Sequence, residues 1–486
     1  MAIIGREEEI YQLRQASSSD KPELVAVYGR RRVGKTFLIN QTFNGQFDFA
    51  HNGLSPAELD DLKKENGRKT FLQLQLTHFH KSLREYGWKG KEVPEDWLDA
   101  FHMLSMLLKE KKADAKQIIF IDELPWLDTP KSYFATAFES FCNGYASREN
   151  LMIIVAGSAT SWMMKHLVNS HGGLYGRVTK EIILSPFSLR ETEMMLQSKN
   201  ISYSRYDIAR TYMVFGGIPY YLDYIDGRYS LSENIDRLLF RHSGVLSNEF
   251  ERLFSASFDN ANLALKIARA LSEKGIGLTR DEILKQIQYT DGQTFSDSLK
   301  ALLLSGYIIK YSPLQEGKKE SLYKLIDPFC LFYLRFVEGN ESLDEHFFLD
   351  NESSGKLQSW KGFAFETLCY NHLNQIKSAL GVSGVATSRF SFVQKGDGNQ
   401  PGAQVDLVLE RKDNIVSLCE LKFYSDEYRA NASDDLDVRN KKSVLSRLIK
   451  KRQSIQTVLI TTFGLKPGQY QWTYQKIITL DDLFSK

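Results

Sequence analysis

Two short stretches of the chain carry residue types that could handle a phosphorylated ligand. The first, GRRRVGKT, follows the apolar run ELVAVY and precedes FLIN. Glycine, four residues, glycine, lysine and threonine between a strand and a helix predict a phosphate-binding loop. The glycines let backbone N–H groups turn toward phosphate oxygens, and the helix start adds its positive end. The residues predicted to bind the nucleotide here are Gly29, Arg30, Arg31, Arg32, Val33, Gly34, Lys35 and Thr36.

The second stretch, QIIFIDELPWL, supplies carboxylates. An apolar run ending in Asp122 and Glu123 is typical of a buried parallel strand whose carboxyl end opens onto a ligand. Lys35 is then expected to reach the β and γ phosphates, and Thr36 and Asp122 to bind Mg²⁺. Glu123 is predicted to orient or deprotonate the attacking water.

Two further positions have more than one interpretation. The stretch LMIIVAGSATSWM ends in small polar residues, so Ser158 or Thr160 could sense the γ phosphate or simply form a turn. Arg177, in the glycine-rich stretch GGLYGRV, could stabilise charge on the transferring phosphoryl group. It could do so from its own chain or from a neighbouring subunit, and a surface salt bridge is the alternative.

A third group of charged residues crosses two apolar runs in AQVDLVLERKDNIVSLCELKFY. If the turn is KDN with Asn414 in the left-handed conformation, counting back places Asp406 opposite Glu420. Opposed Cβ atoms lie about 5 Å apart, so both carboxylates could hold one Mg²⁺. Lys422 is expected on the same face as Glu420. A solvated hairpin is the alternative.

The composition limits the class of protein that carries these residues. With 486 residues, 42% apolar and 25% charged, the chain is typical of globular proteins of about two to four domains. A net charge of +2 does not by itself favour a nucleic-acid partner. Its apolar runs are too short to span a bilayer, and MAIIGREEEI does not resemble a signal peptide. Four scattered cysteines, expected to serve packing, fit the prediction of a cytoplasmic protein without a membrane partner.

The elements that must position these residues predict an α/β multidomain protein. Strand and helix patterns alternate in the first part, as in a parallel α/β sheet. Three helices followed by a β-hairpin predict a winged helix-turn-helix, and acidic, Ser/Asn/Gly-rich residues 338–358 are typical of a linker. The predicted domains are a P-loop core at 1–185, a helical lid at 186–255, a winged helix at 256–330, a linker at 331–358 and an α/β domain at 359–486.

Several motifs of the first half together resemble the archaeal-type ATPase family, AAA/STAND-like P-loop ATPases. These motifs are IIGREEEI, GRRRVGKT, FIDELPWL, VAGSATSWM, YGRVTKEIILSPFSLRE and FGGIPYYL. The resemblance implies an AAA-like parallel α/β sheet that binds ATP with Mg²⁺, with Gly5 and Arg6 near the adenine end. It also implies that Gly217 and Pro219 form a conformational relay to the helical lid. ATP often acts as a slowly hydrolysed switch in this group.

The C-terminal charges resemble those of the PD-(D/E)XK nuclease superfamily. Asp406, Glu420 and Lys422 match its Asp and Glu-x-Lys, and Glu366 matches its upstream helical glutamate. The resemblance implies that the acids hold a divalent metal ion that activates water, while the lysine steadies developing charge. A domain of this type follows the ATPase and winged helix in archaeal-type ATPases. No proline precedes Asp406 here.

Two functions follow as expectations. One is an ATPase whose nucleotide state controls a nuclease-like domain acting on DNA or RNA. The other is a nucleotide-switched regulatory or scaffold protein with an inactive nuclease fold. The basic stretch VRNKKSVLSRLIKKRQ could contact a nucleic-acid backbone or be a solvated helix face. The predicted winged helix, with Lys300 alone on its third helix, favours packing over base recognition. An oligomer is left open.

Overall fold

The structure is a computed structural model that describes residues 3–65, 67, 69–111, 115–158, 160–168, 174, 176–258, 260–311, 321–340, 345–394 and 402–486. Five of these positions, Thr160, 392–394 and Asp406, are described without their side chains. The chain divides into two compact units. The first comprises Met1–Ser185 with Leu253–Ala261, and the second Pro186–Arg252 with Asn262–Lys486.

The first unit is built on a five-stranded parallel sheet, as the alternating strand and helix patterns predicted. Its central strands are buried along their length because β-branched and apolar residues fill both faces. The strand order is β2-β3-β4-β1-β5, so β4 separates the strand before the phosphate loop from the strand that ends in the acids. The strands are β1 (Glu23–Tyr28), β2 (Phe49–Asn52), β3 (Gln117–Asp122), β4 (Leu151–Gly157) and β5 (Lys180–Ile183).

The helices of the first unit cover this sheet. An aromatic core of Phe79, Trp97, Phe101 and Phe134 packs beneath it. Asp96 begins one of the helices by accepting a hydrogen bond from a backbone N–H of its first turn. The helices are α1 (Glu7–Ser17), α2 (Lys35–Thr42), α3 (Pro56–Glu65), α4 (Phe71–Glu85), α5 (Trp97–Glu110), α6 (Phe134–Asn143) and α7 (Thr160–Met163).

The second unit begins with helices only. Ser188 and Ser230 form capping boxes that start two of them. Gly216, with φ 69°, ends another in the left-handed conformation. These helices are α8 (Leu189–Ser198), α9 (Arg205–Phe215), α10 (Pro219–Asp223), α11 (Leu231–Ile235) and α12 (Glu249–Ser257), of which α12 continues into the segment grouped with the first unit.

Three helices and a small antiparallel sheet come next, in the strand order β6-β8-β7. The tip between β7 and β8, with Lys318 and Lys319, lies outside the described residues. The elements are α13 (Ala261–Ser272), β6 (Leu278–Thr279), α14 (Arg280–Ile287), α15 (Gln293–Leu304), β7 (Ile308–Tyr311) and β8 (Leu322–Leu325).

The segment expected to be a linker differs from that expectation. Residues 331–358 contain α17 (Phe347–Asn351), the end of α16 (Pro328–Phe332) and the start of α18 (Gly355–Asn371). Phe332, Phe336 and Phe348 are buried there. Aromatic residues interspersed among the acidic ones give this segment an apolar face, which a count of polar residues does not reveal.

The C-terminal part is a five-stranded mixed sheet in the order β13-β12-β11-β10-β9. Strands β9 to β11 are antiparallel, whereas β11 to β13 are parallel. Helix α18 packs on β11, and α20 packs on β10 and β12. The elements are α19 (Leu373–Ala379), β9 (Thr387–Gln394), β10 (Ala403–Arg411), β11 (Ile415–Lys422), α20 (Ala432–Leu448), β12 (Ser454–Thr461) and β13 (Lys476–Thr479).

The hairpin of β10 and β11 has the predicted turn. Asn414 has φ 65°, and the described pairs run from Leu407 with Cys419 to Glu410 with Val416. The pairing of β10 with β9, however, shifts between Val405 and Val408. Such a shift is typical of a β-bulge. The described β10–β11 register is the one from which Asp406 was predicted to lie opposite Glu420. This placement stays a prediction, because the side chain of Asp406 lies outside the described residues.

Two other expectations concern the whole chain. All four cysteines are free and buried, in agreement with a packing role. Within the described ranges, no helix has both the length and the apolar character needed to cross a membrane.

Candidate functional site

The predicted phosphate loop connects β1 to α2 with glycines at both ends. Gly34 precedes α2 with φ 91°, a conformation that L side chains rarely adopt. Gly29 has φ 143°, and a Cβ added there would lie 2.3 Å from the carbonyl oxygen of Leu184. The first glycine is therefore required by the close approach of β5, and the last by the entry into the helix.

Lys35 is buried at the centre of this loop. Its Nζ donates hydrogen bonds to the carbonyl oxygens of Gly29 and Arg30, each at 3.1 Å. Burial lowers the pKa of Lys35, against the opposing effect of Glu123 and Asp122. An ammonium group held by its own loop carbonyls, next to two acids, is placed to meet an anion at the loop.

Thr36 and Asp122 meet at the carboxyl edge of the sheet. Thr36 Oγ1 donates a hydrogen bond to Asp122 Oδ2 at a distance of 2.5 Å. The two residues meet although β4 lies between β1, which leads to Thr36, and β3, which ends in Asp122. Burial raises the pKa of Asp122, and the charge of Glu123 raises it further. A hydroxyl and a buried carboxylate in contact are oxygen ligands of the kind Mg²⁺ takes, so these residues fit the ion that the loop motif implies.

Glu123 adjoins this pair and is held by the end of β4. Its Oε2 accepts hydrogen bonds from the backbone N–H of Ser158 at 3.0 Å and from the Ser158 hydroxyl at 2.9 Å. Glu123 has φ 45°, a left-handed backbone uncommon for a residue with a side chain. Ser158, for which phosphate sensing or a turn was predicted, is observed to hold the carboxylate of Glu123 in place.

The N-terminal pair implied by the family resemblance lies beside the loop. Gly5 and Arg6 both have left-handed backbones, and Arg6 precedes α1. Arg6 Nη2 donates to the carbonyl oxygen of Ser185 at 2.5 Å. Ser185 follows Leu184, whose backbone lies against Gly29. The hydrogen bond therefore connects Arg6 to the segment after β5 that adjoins the loop.

One predicted residue of the first unit, Arg177, is not brought to the loop. Arg177 is exposed and lines a pocket with Pro22 and Leu24, at the amino end of β1, whereas the loop follows its carboxyl end. Gly217 and Pro219 belong to the second unit. Gly217 has φ 65°, and a Cβ there would lie 2.2 Å from the carbonyl oxygen of Phe187.

The C-terminal hairpin presents a different arrangement of charge. Glu420 is buried on β11, and its Oε1 accepts a hydrogen bond from Lys441 Nζ of α20 at 2.7 Å. The same Nζ lies 2.7 Å from Asp437 Oδ2. Burial raises the pKa of Glu420 despite Lys441. Burial lowers the pKa of Lys441, but the two carboxylates outweigh it and the net direction is upward.

Lys422, predicted on the same face as Glu420, has its described contact with an aromatic ring. Lys422 Nζ is over the ring of Tyr428, 5.9 Å from its centroid. Burial raises the pKa of Tyr428, and a hydrogen bond with Asp434 adds to the effect. The cation in hydrogen-bond contact with Glu420 is Lys441.

Glu366 and Asp406 complete the predicted set. Glu366 Oε2 lies 3.9 Å from Lys324 Nζ. Its helix, α18, packs on β11. The described contact of Glu366 is thus with Lys324, and that of Glu420 is with Lys441. The side chain of Asp406 lies outside the described residues.

No group of three or more metal-ligating side chains occurs among the residues the structure describes, which do not include the side chain of Asp406. Of the two hairpin carboxylates predicted to bind a metal ion, Glu420 is the one whose side chain is described. Its oxygens could bind a divalent ion only in place of Lys441. The predicted basic helix also ends early, since Lys450, Lys451 and Arg452 follow the end of α20 at Leu448.

Two functional contacts were not predicted from the sequence. Ser158 with Glu123 depends on the position of β4 beside β3. Lys441 was considered only as one of several basic residues, although its spacing of four from Asp437 on a helix is a signal for an ion pair.

Comparisons with known proteins assign a family to the N-terminal part of the chain. Residues 3–225 match a family described as an ATPase domain predominantly from Archaea, which indicates an ATPase-type domain in this part of the chain. The parallel α/β sheet predicted for it is confirmed.

One relative aligns along most of the chain. It is an uncharacterized protein of Methanocaldococcus jannaschii, MJECL04, which is 24% identical over 450 residues, 90% of this chain and 93% of the relative.

Solved structures show more distant likeness. The Walker-type ATPase of Pyrococcus abyssi has 21% identity and a TM-score of 0.47, over 68% of this chain and 96% of that one. The Aeropyrum pernix ORC2 protein, in its ADPNP–ADP complexes, has 14% identity and a TM-score of 0.43, over 72% of this chain and 96% of that one.

Proposed function

We propose that this protein binds ATP with Mg²⁺ at the loop of Gly29–Thr36 and hydrolyses it. The observation that carries this proposal is the convergence of two contacts at one sheet edge. Thr36 meets Asp122 at 2.5 Å, and Ser158 holds Glu123 at 2.9 Å. An ion ligand pair and an oriented carboxylate stand beside a buried lysine, which is the set that phosphoryl transfer to water requires.

Each residue has a distinct part in this proposal. The loop backbone and Lys35 bind phosphate oxygens, and Thr36 with Asp122 would hold Mg²⁺, which supplies charge neutralisation when bound. Glu123 orients water and accepts its proton. Ser158 restrains that carboxylate, so a sensing role for Ser158 would operate through Glu123.

Replacement of the loop lysine tests nucleotide binding. Lys35→Ala is expected to abolish binding of a fluorescent ATP analogue, because the buried ammonium is the cation that the loop presents to phosphates. Lys64→Ala is the matched control, since that side chain is 77% exposed and pairs with Asp61. Unchanged affinity in Lys35→Ala would refute the loop assignment.

We further propose that residues 256–330 act as a winged helix that packs rather than reads bases. The order of helices and strands α13, β6, α14, α15, β7 and β8 supports it. Helix α15 has one basic residue, Lys300, on its exposed face. Because phosphate contacts supply much of DNA affinity, this helix could contribute little to DNA binding.

For the C-terminal part, the proposal is a PD-(D/E)XK-like domain acting on nucleic acid under control of the nucleotide state. A helix, three antiparallel strands, a second helix and a parallel strand support it, with Glu420 and Lys422 on β11. Cleavage of plasmid or oligonucleotide in Mg²⁺ or Mn²⁺ is expected, and Glu420→Ala should lose it. Absence of cleavage with every nucleotide would contradict this part.

A regulatory or scaffold protein with an inactive nuclease fold is the second candidate. The observation that favours it is that Lys441 neutralises Glu420, while Glu366 lies 3.9 Å from Lys324. The same cleavage assay separates the two candidates.

A further inference from the structure

The first unit contains a cavity of about 250 Å³ at the amino ends of its sheet strands. Its wall includes Glu23 at the start of β1, Leu151 at the start of β4 and Thr179 just before β5. The phosphate loop follows the carboxyl end of β1, at the opposite edge of the same sheet. The cavity is therefore separate from the proposed nucleotide site.

A buried carboxylate lines this cavity, and one of its oxygens has no donor. Glu23 is 4% exposed. Its Oε1 accepts a hydrogen bond from Ser19 Oγ at 2.8 Å. Its Oε2 is buried and has no hydrogen-bond partner within the part of the chain that the structure describes. A buried acceptor without a donor is costly, so a ligand that brings a donor to this oxygen would remove that cost.

The side-chain donors around Glu23 are directed to other acceptors. Lys116 Nζ has three donors and makes three hydrogen bonds over 2.7–3.1 Å, one to Ser19 Oγ and two to backbone carbonyl oxygens. Two hydroxyl groups of the cavity wall, those of Ser147 and Thr179, also donate to backbone carbonyl oxygens. The missing donor must therefore come from outside these side chains.

A guanidinium group and apolar side chains complete the wall. Arg177 is exposed and lines the cavity, and its planar set of N–H donors matches a carboxylate. Leu24, Leu151 and Ile153 are buried and give the wall an apolar part. The cavity thus offers an acceptor for a cationic donor, donors for an anion and an apolar surface.

We propose that this cavity binds a small zwitterion of the amino-acid class, whose ammonium group donates to Glu23 Oε2 and whose carboxylate pairs with Arg177. This inference goes beyond the proposed ATP hydrolysis and does not depend on it. The volume lies just below the range of about 300–1,000 Å³ for pockets that take drug-sized ligands, which favours a ligand as small as an amino acid.

The charges of the wall favour a zwitterion over a ligand with one charge. A simple organic cation would be repelled by Lys21 and Arg177, which line the same cavity. A simple anion would bring no donor to Glu23 and would be repelled by its carboxylate. A zwitterion has no net charge and presents each of its groups to a residue of opposite charge.

The test is titration calorimetry of the full chain without nucleotide. The probes are glycine, β-alanine and γ-aminobutyrate, in which each added methylene increases the separation of the two charged groups. Butylamine and butyrate are the controls, since each keeps one charge. At least one amino acid is expected to bind about tenfold more tightly than either control, because each charged end adds a charge-assisted hydrogen bond. Equal binding of butylamine would refute the pairing with Arg177.

Variants of the wall locate the binding site. Arg177→Met removes an exposed guanidinium, so the variant is expected to fold, and it should weaken binding of the best probe at least about tenfold. Arg148→Met is the matched control, since Arg148 is exposed, lies next to Ser147 in the chain and is outside the cavity wall. It should bind like wild type. Glu23→Gln keeps the shape of the side chain, removes its charge and should also weaken binding at least about tenfold.

The outcomes separate this inference from the proposed ATPase activity, because none of the measurements requires ATP. If water alone occupies the cavity, none of the three amino acids will bind, and that result would overturn the inference. Binding that is unchanged in Arg177→Met and in Glu23→Gln would place the probe elsewhere on the chain and would overturn it as well.

Discussion

The two acidic sites of this chain treat their carboxylates in opposite ways. At the phosphate loop, Asp122 and Glu123 are held by neutral donors, namely the hydroxyl of Thr36 and the N–H and hydroxyl of Ser158. At the C-terminal hairpin, Glu420 is held by a cation, Lys441, in direct contact. Burial raises the pKa of both Asp122 and Glu420.

The difference separates carboxylates whose hydrogen-bond donors are neutral from a carboxylate whose donor is itself a cation. Neutral donors orient a carboxylate without cancelling its charge, so Asp122 retains its attraction for a metal ion. An ammonium partner cancels the charge and must be displaced first. We therefore expect loss of the carboxylate to change the free energy of unfolding in opposite directions at the two sites.

The largest expected effect is on hydrolysis at the phosphate loop. Glu123→Gln should lower kcat by about 10²–10⁴-fold, because it removes the base that accepts a proton from water. ATP affinity should change little, since Lys35 and the loop backbone are intact. Phosphate release and binding of a fluorescent ATP analogue measure the two quantities. A kcat near that of wild type would show that Glu123 only shapes the site.

The next effect is a loss of stability at the hairpin. Glu420→Gln should reduce the free energy of unfolding by about 2 kcal/mol, because it leaves the buried Lys441 with one partner. Glu410→Gln on β10 is the control, since Glu410 lies 3.9 Å from a Lys450 that is 68% exposed, and such surface pairs contribute little. Urea denaturation measures both. Equal costs in the two variants would remove the contrast between the sites.

The opposite sign is expected at the phosphate loop. Asp122→Asn should stabilise the nucleotide-free protein by roughly 1 kcal/mol, a usual size for relieving a functional site. It should also lose the further stabilisation that wild type gains from MgATP. Calorimetry with and without MgATP measures both. Destabilisation without nucleotide would mean that Asp122 is compensated as Glu420 is.

The sign of the pH dependence follows from the raised pKa of Asp122. Between the pKa of an unfolded aspartate and the higher folded pKa, the folded state holds more protons. Wild-type stability should therefore fall as pH rises through this interval. Asp122→Asn lacks that contribution, so the advantage of the variant should grow from the lower to the upper end of the interval.

The smallest effect is expected for Arg177. Since it lies at the amino end of β1, Arg177→Ala should leave phosphate release in dilute protein within about twofold of wild type, below the range for a group stabilising transferring charge. A large loss only at high protein concentration would indicate a role in a neighbouring subunit.

Local chemistry could be predicted from the sequence where few adjacent residues decide it. The loop from Gly29 to Thr36 contains its own glycines, lysine and hydroxyl, and the turn at Asn414 depends on one left-handed residue. The parallel sheet of the first unit followed from buried apolar runs between helices.

Contacts that depend on packing could not be predicted in this way. Ser158 reaches Glu123 because β4 is inserted beside β3, which no spacing indicates. Lys441 faces inward because Val438, Val444 and Leu445 set the buried side of α20. The shift in the pairing of β10 with β9 between Val405 and Val408 likewise has no signal in the sequence.

The left-handed backbone of Glu123 makes opposite demands on the residue type for stability and for the proposed hydrolysis. A side chain at φ 45° costs free energy that glycine would not pay, so a glycine there would suit the chain's conformation better. The same replacement would delete the carboxylate held by Ser158. Under the proposed function, a search for more heat-resistant variants would therefore tend to select against hydrolysis at this position.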